Sequence, residues 1–140
     1  MLKIFLISLI NFIKFVNLDN KKKEFVFYSE SKFYRDHFID LIINLKKKKQ
    51  VNIIFITSDK DDFLFFKEIL TCYYIKNYFI LRILFKMLSC KFLIMTLTDL
   101  GYHLEKSKFC NYYVYFFHAM ASTHKIYSQT AFRNYDIIFS

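Results

Sequence analysis

Short apolar runs alternate along this chain with segments in which apolar residues recur at helical spacing. The runs read as buried strands at residues 25–28, 51–56, 71–75, 91–97, 112–117 and 136–139. Helical spacing fills residues 34–45, 63–70 and 79–88. Near-continuous apolar strands separated by helices predict a parallel sheet covered on both faces. We therefore expect an α/β fold, a Rossmann-like, doubly wound, mostly parallel sheet, in one domain over residues 24–140.

One glycine and no proline are present in 140 residues, which restricts the ligand sites that the chain can build. Gly101 alone cannot form a GxGxxG fingerprint or a P-loop, so dinucleotide or ATP binding by those motifs is excluded. The four histidines and three cysteines show no HExxH or CxxC spacing, and we expect no metal site. No cofactor is implied.

Residues 1–23 form an apolar leader that ends in three consecutive lysines. Its apolar run is shorter than the roughly 20 residues that span a bilayer, and it lacks the small-residue cleavage site of a secretion signal. Two interpretations stay open. The leader is either an interfacial helix on an anionic membrane surface or a first helix that packs on the domain. The expected location is the cytoplasm, peripheral on the inner face of the cell membrane in the first case.

Charge and cysteine content narrow the classes of partner further. The net charge is +9, and residues 1–50 contribute most of it, through lysine rather than arginine. Lysine suits an anionic membrane surface or plain solubility better than the reading of bases, and we expect no nucleic-acid partner. Cys72, Cys90 and Cys110 are odd in number, so a reducing compartment and buried thiols are expected, not a disulfide framework.

The carboxyl ends of the predicted strands mark the candidate ligand site, because ligands of such sheets bind beyond those ends. This rule selects Ser29, Thr57, Ser58, Thr98, Asp99 and His118. The sequence Ser58-Asp59-Lys60-Asp61 resembles a capping box, so Asp61 and Asp62 are assigned to a helix start, not to a catalytic carboxylate pair.

His118 directly follows an aromatic strand, and the polar residues Ser122, Thr123 and His124 come after it. An imidazole titrates near neutrality and can accept a proton from an alcohol. Ser122 can cap a following helix or bind an anion at its first turn. From spacing alone, a histidine in this position is more often structural than catalytic, and both interpretations of His118 stay open.

The segment YVYFFHAMASTHKIY, residues 113–127, resembles the His-Gly segment of the CDP-glycerol:poly(glycerophosphate) glycerophosphotransferase family, whose members build teichoic-acid-like polymers. Residues 131–139 resemble the family's next segment. Residues 27–30 with Tyr34, residues 56–59 and residues 96–101 follow the same order. The resemblance covers residues 24–140.

This resemblance implies the N-terminal, acceptor-side half of a GT-B enzyme, in which two Rossmann-like domains enclose a cleft. His118 would be the general base that deprotonates a polyol hydroxyl, which attacks the donor phosphorus and releases CMP. Asp99 would lie near the same cleft, and Ser122 and His124 would bind substrate. The implied partners are CDP-glycerol and a polyol-phosphate or lipid-linked acceptor.

Two departures from the family pattern shape the expectation. Ala119 stands where the family has glycine, and the family's donor site lies in a second, C-terminal domain. We therefore expect the chain to be inactive by itself and to require that domain for CDP-glycerol. The alternatives are half of another GT-B glycosyltransferase for surface polysaccharide, or a non-enzymatic protein of the membrane surface.

Overall fold

The computed structural model of the chain describes residues 1–48, 50–98, 100–116 and 130–139. Four α-helices and six strands are present in these residues, together with two short 3-10 turns at Asn20–Lys22 and Lys32–Tyr34. In chain order the elements are α1 Leu2–Val16, β1 Phe25–Ser29, α2 Arg35–Lys48, β2 Ile53–Thr57, α3 Lys60–Phe66, β3 Thr71–Tyr74, α4 Tyr78–Met87, β4 Cys90–Met95, β5 Cys110–Phe116 and β6 Ile137–Phe139.

The six strands form one sheet in the order β3-β2-β1-β4-β5-β6. Every neighbouring pair is parallel, so all carboxyl ends lie along one edge of the sheet. The order reverses between β1 and β4, which is the switch point where ligands of such sheets bind. The predicted α/β class and parallel Rossmann-like sheet are confirmed.

Helices cover both faces of the sheet, because the strands are apolar on both sides. On one face, Phe38 of α2 and Phe66 of α3 pack with Phe27 and Phe55 of the central strands. On the other face, α1 and α4 pack over Val26, Tyr28, Ile54 and Ile56. Complete burial of each such large side chain stabilises the fold by about 1.5–3 kcal/mol. The rigid central strands β1 and β4 thus hold the switch point in place.

Helix α1 packs on the domain along one side only. Phe15 is buried against Tyr73, and the buried Ser8 hydroxyl accepts the backbone N–H groups of Lys76 and Asn77 at 3.2 and 3.1 Å. Its outward side exposes seven apolar residues: Leu2, Ile4, Phe5, Leu6, Ile10, Ile13 and Val16. Among the helices of the described residues, α1 included, none combines the length and apolar character needed to cross a membrane.

The start of α3 differs from the predicted capping box. Asp59, not Ser58, is the N-cap, and its carboxylate accepts the backbone N–H groups of Asp61 and Asp62. Ser58 instead donates its hydroxyl to the carbonyl of Ile75 at 2.8 Å. The assignment of Ser58 as the cap was wrong because its hydroxyl is hydrogen-bonded to Ile75, the residue that follows β3. Asp61 lies in the first turn, as predicted.

Candidate functional site

An open cavity of about 750 Å³ lies at the carboxyl edge of the sheet, across the ends of β1 to β4. We call it the crevice. Its walls are Tyr28, Glu30, Ser58, Asp59, Lys60, Asp61, Lys76, Tyr78, Leu81, Leu97, His103 and Leu104. The position follows from the parallel sheet, because the loops after β1 and β4 leave in opposite directions and separate at the switch point. A cavity of this size accommodates a small organic ligand.

A chain of hydroxyl groups forms the floor of the crevice. The hydroxyl of Tyr28 lies 3.1 Å from Ser58 Oγ, which in turn donates to the carbonyl of Ile75. Because that carbonyl can only accept, the Ser58 hydrogen is used there and Tyr28 is the donor to Ser58. Burial is the main cause that raises the pKa of Tyr28, and the hydrogen bond to Ser58 offsets part of it. Tyr28 is therefore a neutral hydrogen-bonding group at physiological pH.

Charged side chains of both signs surround this floor. Asp61 forms an exposed ion pair of 2.8 Å with Lys32, and Asp59 is occupied by the α3 cap. Burial tends to raise the pKa of Asp59, but three backbone N–H donors and Lys32 outweigh it and lower the pKa. Burial raises the pKa of Glu30, although the residue as a whole is exposed.

Two lysines face the crevice without a carboxylate partner. Lys60 and Lys76 are exposed, and neither has an acidic group within 4.0 Å among the residues that the structure describes. Lys76 follows β3, and its backbone N–H is fixed by Ser8 of α1. The crevice thus offers two ammonium groups, which can bind an anion, and several hydroxyls, which can hydrogen-bond to a polar ligand.

A second cavity of about 670 Å³ adjoins the crevice, and Leu97 and His103 line both. We call it the side cavity; Thr98, Leu100, Gly101, Tyr102, Thr130, Arg133 and Asn134 complete its walls. The exposed Arg133 supplies a guanidinium group, which can bind a phosphate through two parallel hydrogen bonds.

Gly101 sets the shape of the side cavity. Its φ of +99° is disfavoured for residues with a side chain, and a Cβ built there would lie 2.6 Å from Asn134 Nδ2. Asn134 donates from this amide to the carbonyl of Leu100, and Gly101 N–H donates to Leu104 at 2.8 Å. The single glycine therefore stands where the loop after β4 packs against the segment before β6.

A buried ion pair supports the crevice from the α2–α3 side. Asp62 is fully buried, and its carboxylate accepts from Arg35 Nε at 2.9 Å and from Ser29 Oγ at 3.2 Å. Burial raises the pKa of Asp62, while Arg35 and Ser29 offset part of that effect. Because Ser29 ends β1 and Arg35 begins α2, this pair fixes the loop that carries Glu30.

The structure brings together several of the predicted site residues. Ser58 lines the crevice and Thr98 lines the side cavity. Ser29 and Thr57 end β1 and β2 at the same edge, but both are buried beneath the cavities. Four further predicted site residues lie outside the described residues: Asp99, His118, Ser122 and His124.

Sequence reasoning missed most of the crevice wall, including Tyr28, Lys76 and His103. Tyr28 was assigned to the core because it belongs to an apolar strand. Lys76 could have been found, since it follows β3 and the strand-end rule applies to β3 as well. His103 had no local signal. It reaches both cavities through an irregular loop, in which its backbone carbonyl accepts from Tyr78 Oη at 3.2 Å.

The described residues contain no group of three or more histidine, cysteine or acidic side chains that could hold a metal ion. Comparison with protein-family models, with curated proteins and with solved structures finds no match to this chain. The residues of the site itself are therefore the basis for inferring a function.

Proposed function

We propose that the chain is the acceptor-side part of a glycerophosphotransferase-like enzyme of GT-B architecture. It would help to transfer glycerol phosphate from CDP-glycerol to a polyol-phosphate or glycan acceptor in the synthesis of a cell-surface polymer. One observation carries the proposal: two adjoining cavities at the carboxyl edge of the sheet combine the hydroxyl groups of the crevice with lysine and arginine side chains. A poly(glycerol phosphate) chain has the complementary chemistry, since hydroxyls alternate with phosphates along it.

The two cavities suggest how such an acceptor would lie. Hydroxyls of one glycerol unit would bond to Tyr28 and Ser58, and the adjacent phosphate would meet Lys76. The next phosphate would reach Arg133 in the side cavity. Hydrogen bonds to charged groups contribute about 1.5–3 kcal/mol each, so these cations would supply most of the affinity.

The reaction follows from the proposed role of His118. Its imidazole would accept the proton of the terminal acceptor hydroxyl, whose oxygen would attack the β-phosphorus of CDP-glycerol. A new phosphodiester bond would form as the bond to CMP breaks. Strand β5, which precedes this segment, ends at Phe116 on the crevice edge of the sheet. The donor would be held by a second domain facing this edge, with Asp99 near the cleft and Ser122 and His124 on the acceptor.

A binding measurement tests the acceptor site without the donor domain. Titration of the chain with a short poly(glycerol phosphate) should release heat in a calorimeter, and Lys76→Gln should weaken binding by about tenfold, the effect of losing one charge-assisted hydrogen bond. Lys108→Gln is the matched control, because Lys108 is exposed and lines neither cavity. Equal affinities for all three proteins, or no binding, would remove the acceptor site from the crevice.

A turnover measurement tests the chemistry. CMP release from CDP-glycerol should require both this chain and a donor-binding domain, and His118→Asn should reduce it by about 100-fold or more, the usual contribution of a general base. Turnover with a nucleotide sugar and not with CDP-glycerol would favour the other GT-B alternative. Steady CMP release by the chain alone would contradict the requirement for a second domain.

A second function, attachment to an anionic membrane surface, is favoured by the outer side of α1. Its seven exposed apolar residues are accompanied by Lys3 and Lys14, and α1 contains no acidic residue. Helix α4 contacts α1 and adds the exposed Phe79 and Met87 with Arg82. An apolar helix face bordered by basic side chains is typical of helices that lie in the membrane interface. This proposal places the chain in the cytoplasm, on the inner face of the cell membrane.

Vesicle co-sedimentation tests this attachment. The chain should bind vesicles with phosphatidylglycerol more tightly than neutral phosphatidylcholine vesicles, and the double variant Ile10→Asp and Ile13→Asp should abolish binding. Phe33→Asp is the control, because Phe33 is exposed but lies outside α1 and α4. Equal sedimentation of all variants, or self-association in place of vesicle binding, would overturn it.

A further inference from the structure

A pair of cysteines lies at the amino edge of the sheet, opposite the crevice. Cys90 begins β4 and Cys110 begins β5, and the two are register partners in adjacent parallel strands. Both side chains belong to the same core cluster and hence to the same face, with their sulfurs 3.2 Å apart. Both are free thiols, as is Cys72, which packs on the opposite face.

The backbone at this pair suits a disulfide bond. Neighbouring strands are about 4.8 Å apart, and disulfides join residues whose Cα atoms are about 4.4–6.8 Å apart. The sulfurs would have to approach by about 1.2 Å to reach the bond length, a change that small side-chain rotations can supply. The two strands therefore need not separate or shift register for the bond to form.

The Cys90 side of the pair borders an open cavity with a cationic wall. Cys90 lines an open cavity of about 340 Å³ together with Lys21, Lys23 and Lys91, and Glu24 is its one acidic wall residue among those described. Buried in this wall, Lys23 interacts electrostatically with the thiol of Cys90. Nearby ammonium groups favour a thiolate, the form that reacts with oxidants.

We propose that Cys90 and Cys110 are a redox modification site, which a hydroperoxide converts to an intramolecular disulfide and a dithiol reductant restores. The site is separate from the crevice and does not depend on the proposed transferase function. Three observations support the site: the two cysteines are register partners, their sulfurs are in contact, and an open cavity lies beside Cys90 and Lys23.

The chemistry balances with the peroxide as the sole oxidant. One cysteine, as thiolate, attacks a peroxide oxygen, so that an S–O bond forms, the O–O bond breaks and hydroxide leaves as water after protonation. The second sulfur then attacks the sulfenic sulfur, the S–S bond forms and a second water departs. Two thiols are oxidised and one hydrogen peroxide is reduced to two waters.

Proton sharing within the pair makes the first step easier. Once one thiol is deprotonated, the other donates its S–H to the thiolate across the 3.2 Å contact. This hydrogen bond lowers the pKa of Cys110 even though burial opposes it, and it raises the pKa of Cys90 together with burial. The pair therefore loses one proton more readily than an isolated buried thiol would.

Mass spectrometry of the full-length reduced chain tests the proposal. One equivalent of hydrogen peroxide should remove the mass of two hydrogen atoms, and subsequent alkylation should label one cysteine in place of three. Proteolysis under non-reducing conditions should yield one cross-linked peptide that joins Cys90 to Cys110. A dithiol reductant should restore three labelled cysteines.

Controls distinguish this pair from general thiol oxidation. Cys72→Ser should leave the cross-link intact, whereas Cys90→Ser and Cys110→Ser should each remove it. If a serine variant fails to fold, the peptide map of the unmutated chain decides by itself. Disulfides to Cys72, disulfides between chains, or sulfinic acid without any cross-link would each overturn the proposal.

Discussion

Among the residues that the structure describes, each edge of the sheet holds one buried charge, and the two charges have different surroundings. At the carboxyl edge, Asp62 is paired with the guanidinium group of Arg35 at 2.9 Å. At the amino edge, Lys23 is 4% exposed. Its ammonium group donates to the carbonyl of Val16 and to Asn20 Oδ1, each at 3.3 Å, and lies above the ring of Phe15. One charge therefore has an opposite charge in direct contact, whereas the other touches neutral acceptors and an aromatic ring and has no carboxylate within 4.0 Å among the described residues.

This difference explains what each edge can do. The Asp62 carboxylate accepts from both Arg35 and Ser29, so this pair fixes the loop after β1 and does not itself line the crevice. Burial lowers the pKa of Lys23, and the thiols beside it are the groups that can gain a compensating negative charge. We expect the carboxyl edge to be sensitive to loss of a charge and the amino edge to be sensitive to oxidation.

The largest effect on stability is expected when Asp62 loses its cationic partner Arg35. Arg35→Met should lower the free energy of unfolding by about 3–5 kcal/mol, because Asp62 would remain buried without its cation. The loss should shrink as pH falls, since the raised pKa of Asp62 lets the folded state take up a proton that relieves the cost. Urea unfolding at several pH values measures both.

Lys32→Met provides the matched control for Arg35→Met. It removes the exposed pair with Asp61 at the same edge and should change stability by less than about 1 kcal/mol. Similar losses for the two variants would show that burial of Asp62 does not decide the energetics of this edge.

A smaller effect is expected at the cap that positions Asp62. Asp59→Ala should cost about 1 kcal/mol, because two N–H groups at the start of α3 lose their acceptor, whereas Asp59→Asn should lose much less. The lowered pKa of Asp59 means that its contribution is present above the unfolded pKa and is lost as pH falls through the folded pKa.

Urea unfolding below about pH 4 should therefore show a steeper loss of stability for the unmutated chain than for Asp59→Asn. Parallel pH profiles of the two proteins would remove Asp59 as the source of this pH dependence. The asparagine variant is an informative control because it keeps an oxygen acceptor at the cap and cannot titrate.

The smallest effect is expected for the charge without an ionic partner. Lys23→Met should change stability by less than about 1 kcal/mol, because the desolvation cost of the ammonium disappears along with its hydrogen bonds. The pKa of Lys23 is lower in the folded state than in the unfolded state, so between these two pKa values the unfolded state binds more protons. Stability should therefore rise with pH up to the unfolded pKa of lysine, about 10.4. This rise should be weaker in Lys23→Met, and a loss as large as that of Arg35→Met would break the comparison.

Much of the fold could be predicted from periodicity. Every predicted strand is present, with ends that differ by one or two residues, because apolar runs between polar segments are a local property. The predicted helix at residues 63–70 begins earlier and ends at Phe66, since the cap is Asp59 and the chain turns before β3. The strand order, with β4 beside β1, depends on contacts between distant residues that no local pattern records.

The candidate site was less predictable than the sheet. The rule that ligands bind beyond the carboxyl ends of the strands selected Ser58 and Thr98, which line the cavities. It could not distinguish them from Ser29 and Thr57, which are buried. The burial of Asp62 depends on Arg35, 27 positions away, so its pairing was not visible in the sequence. The cysteine pair was missed for the same reason, because its residues are 20 positions apart and only the strand register joins them.

The attachment of α1 through Ser8 has a consequence for how the chain folds. The backbone groups that Ser8 binds lie 68 and 69 positions later, and at a synthesis rate of about 5–20 residues per second several seconds pass before they exist. A helix of this length is marginal in isolation. Helix α1 is therefore synthesised before the backbone groups that hold it, and the side that packs on the domain stays open to chaperones until β3 and α4 are complete.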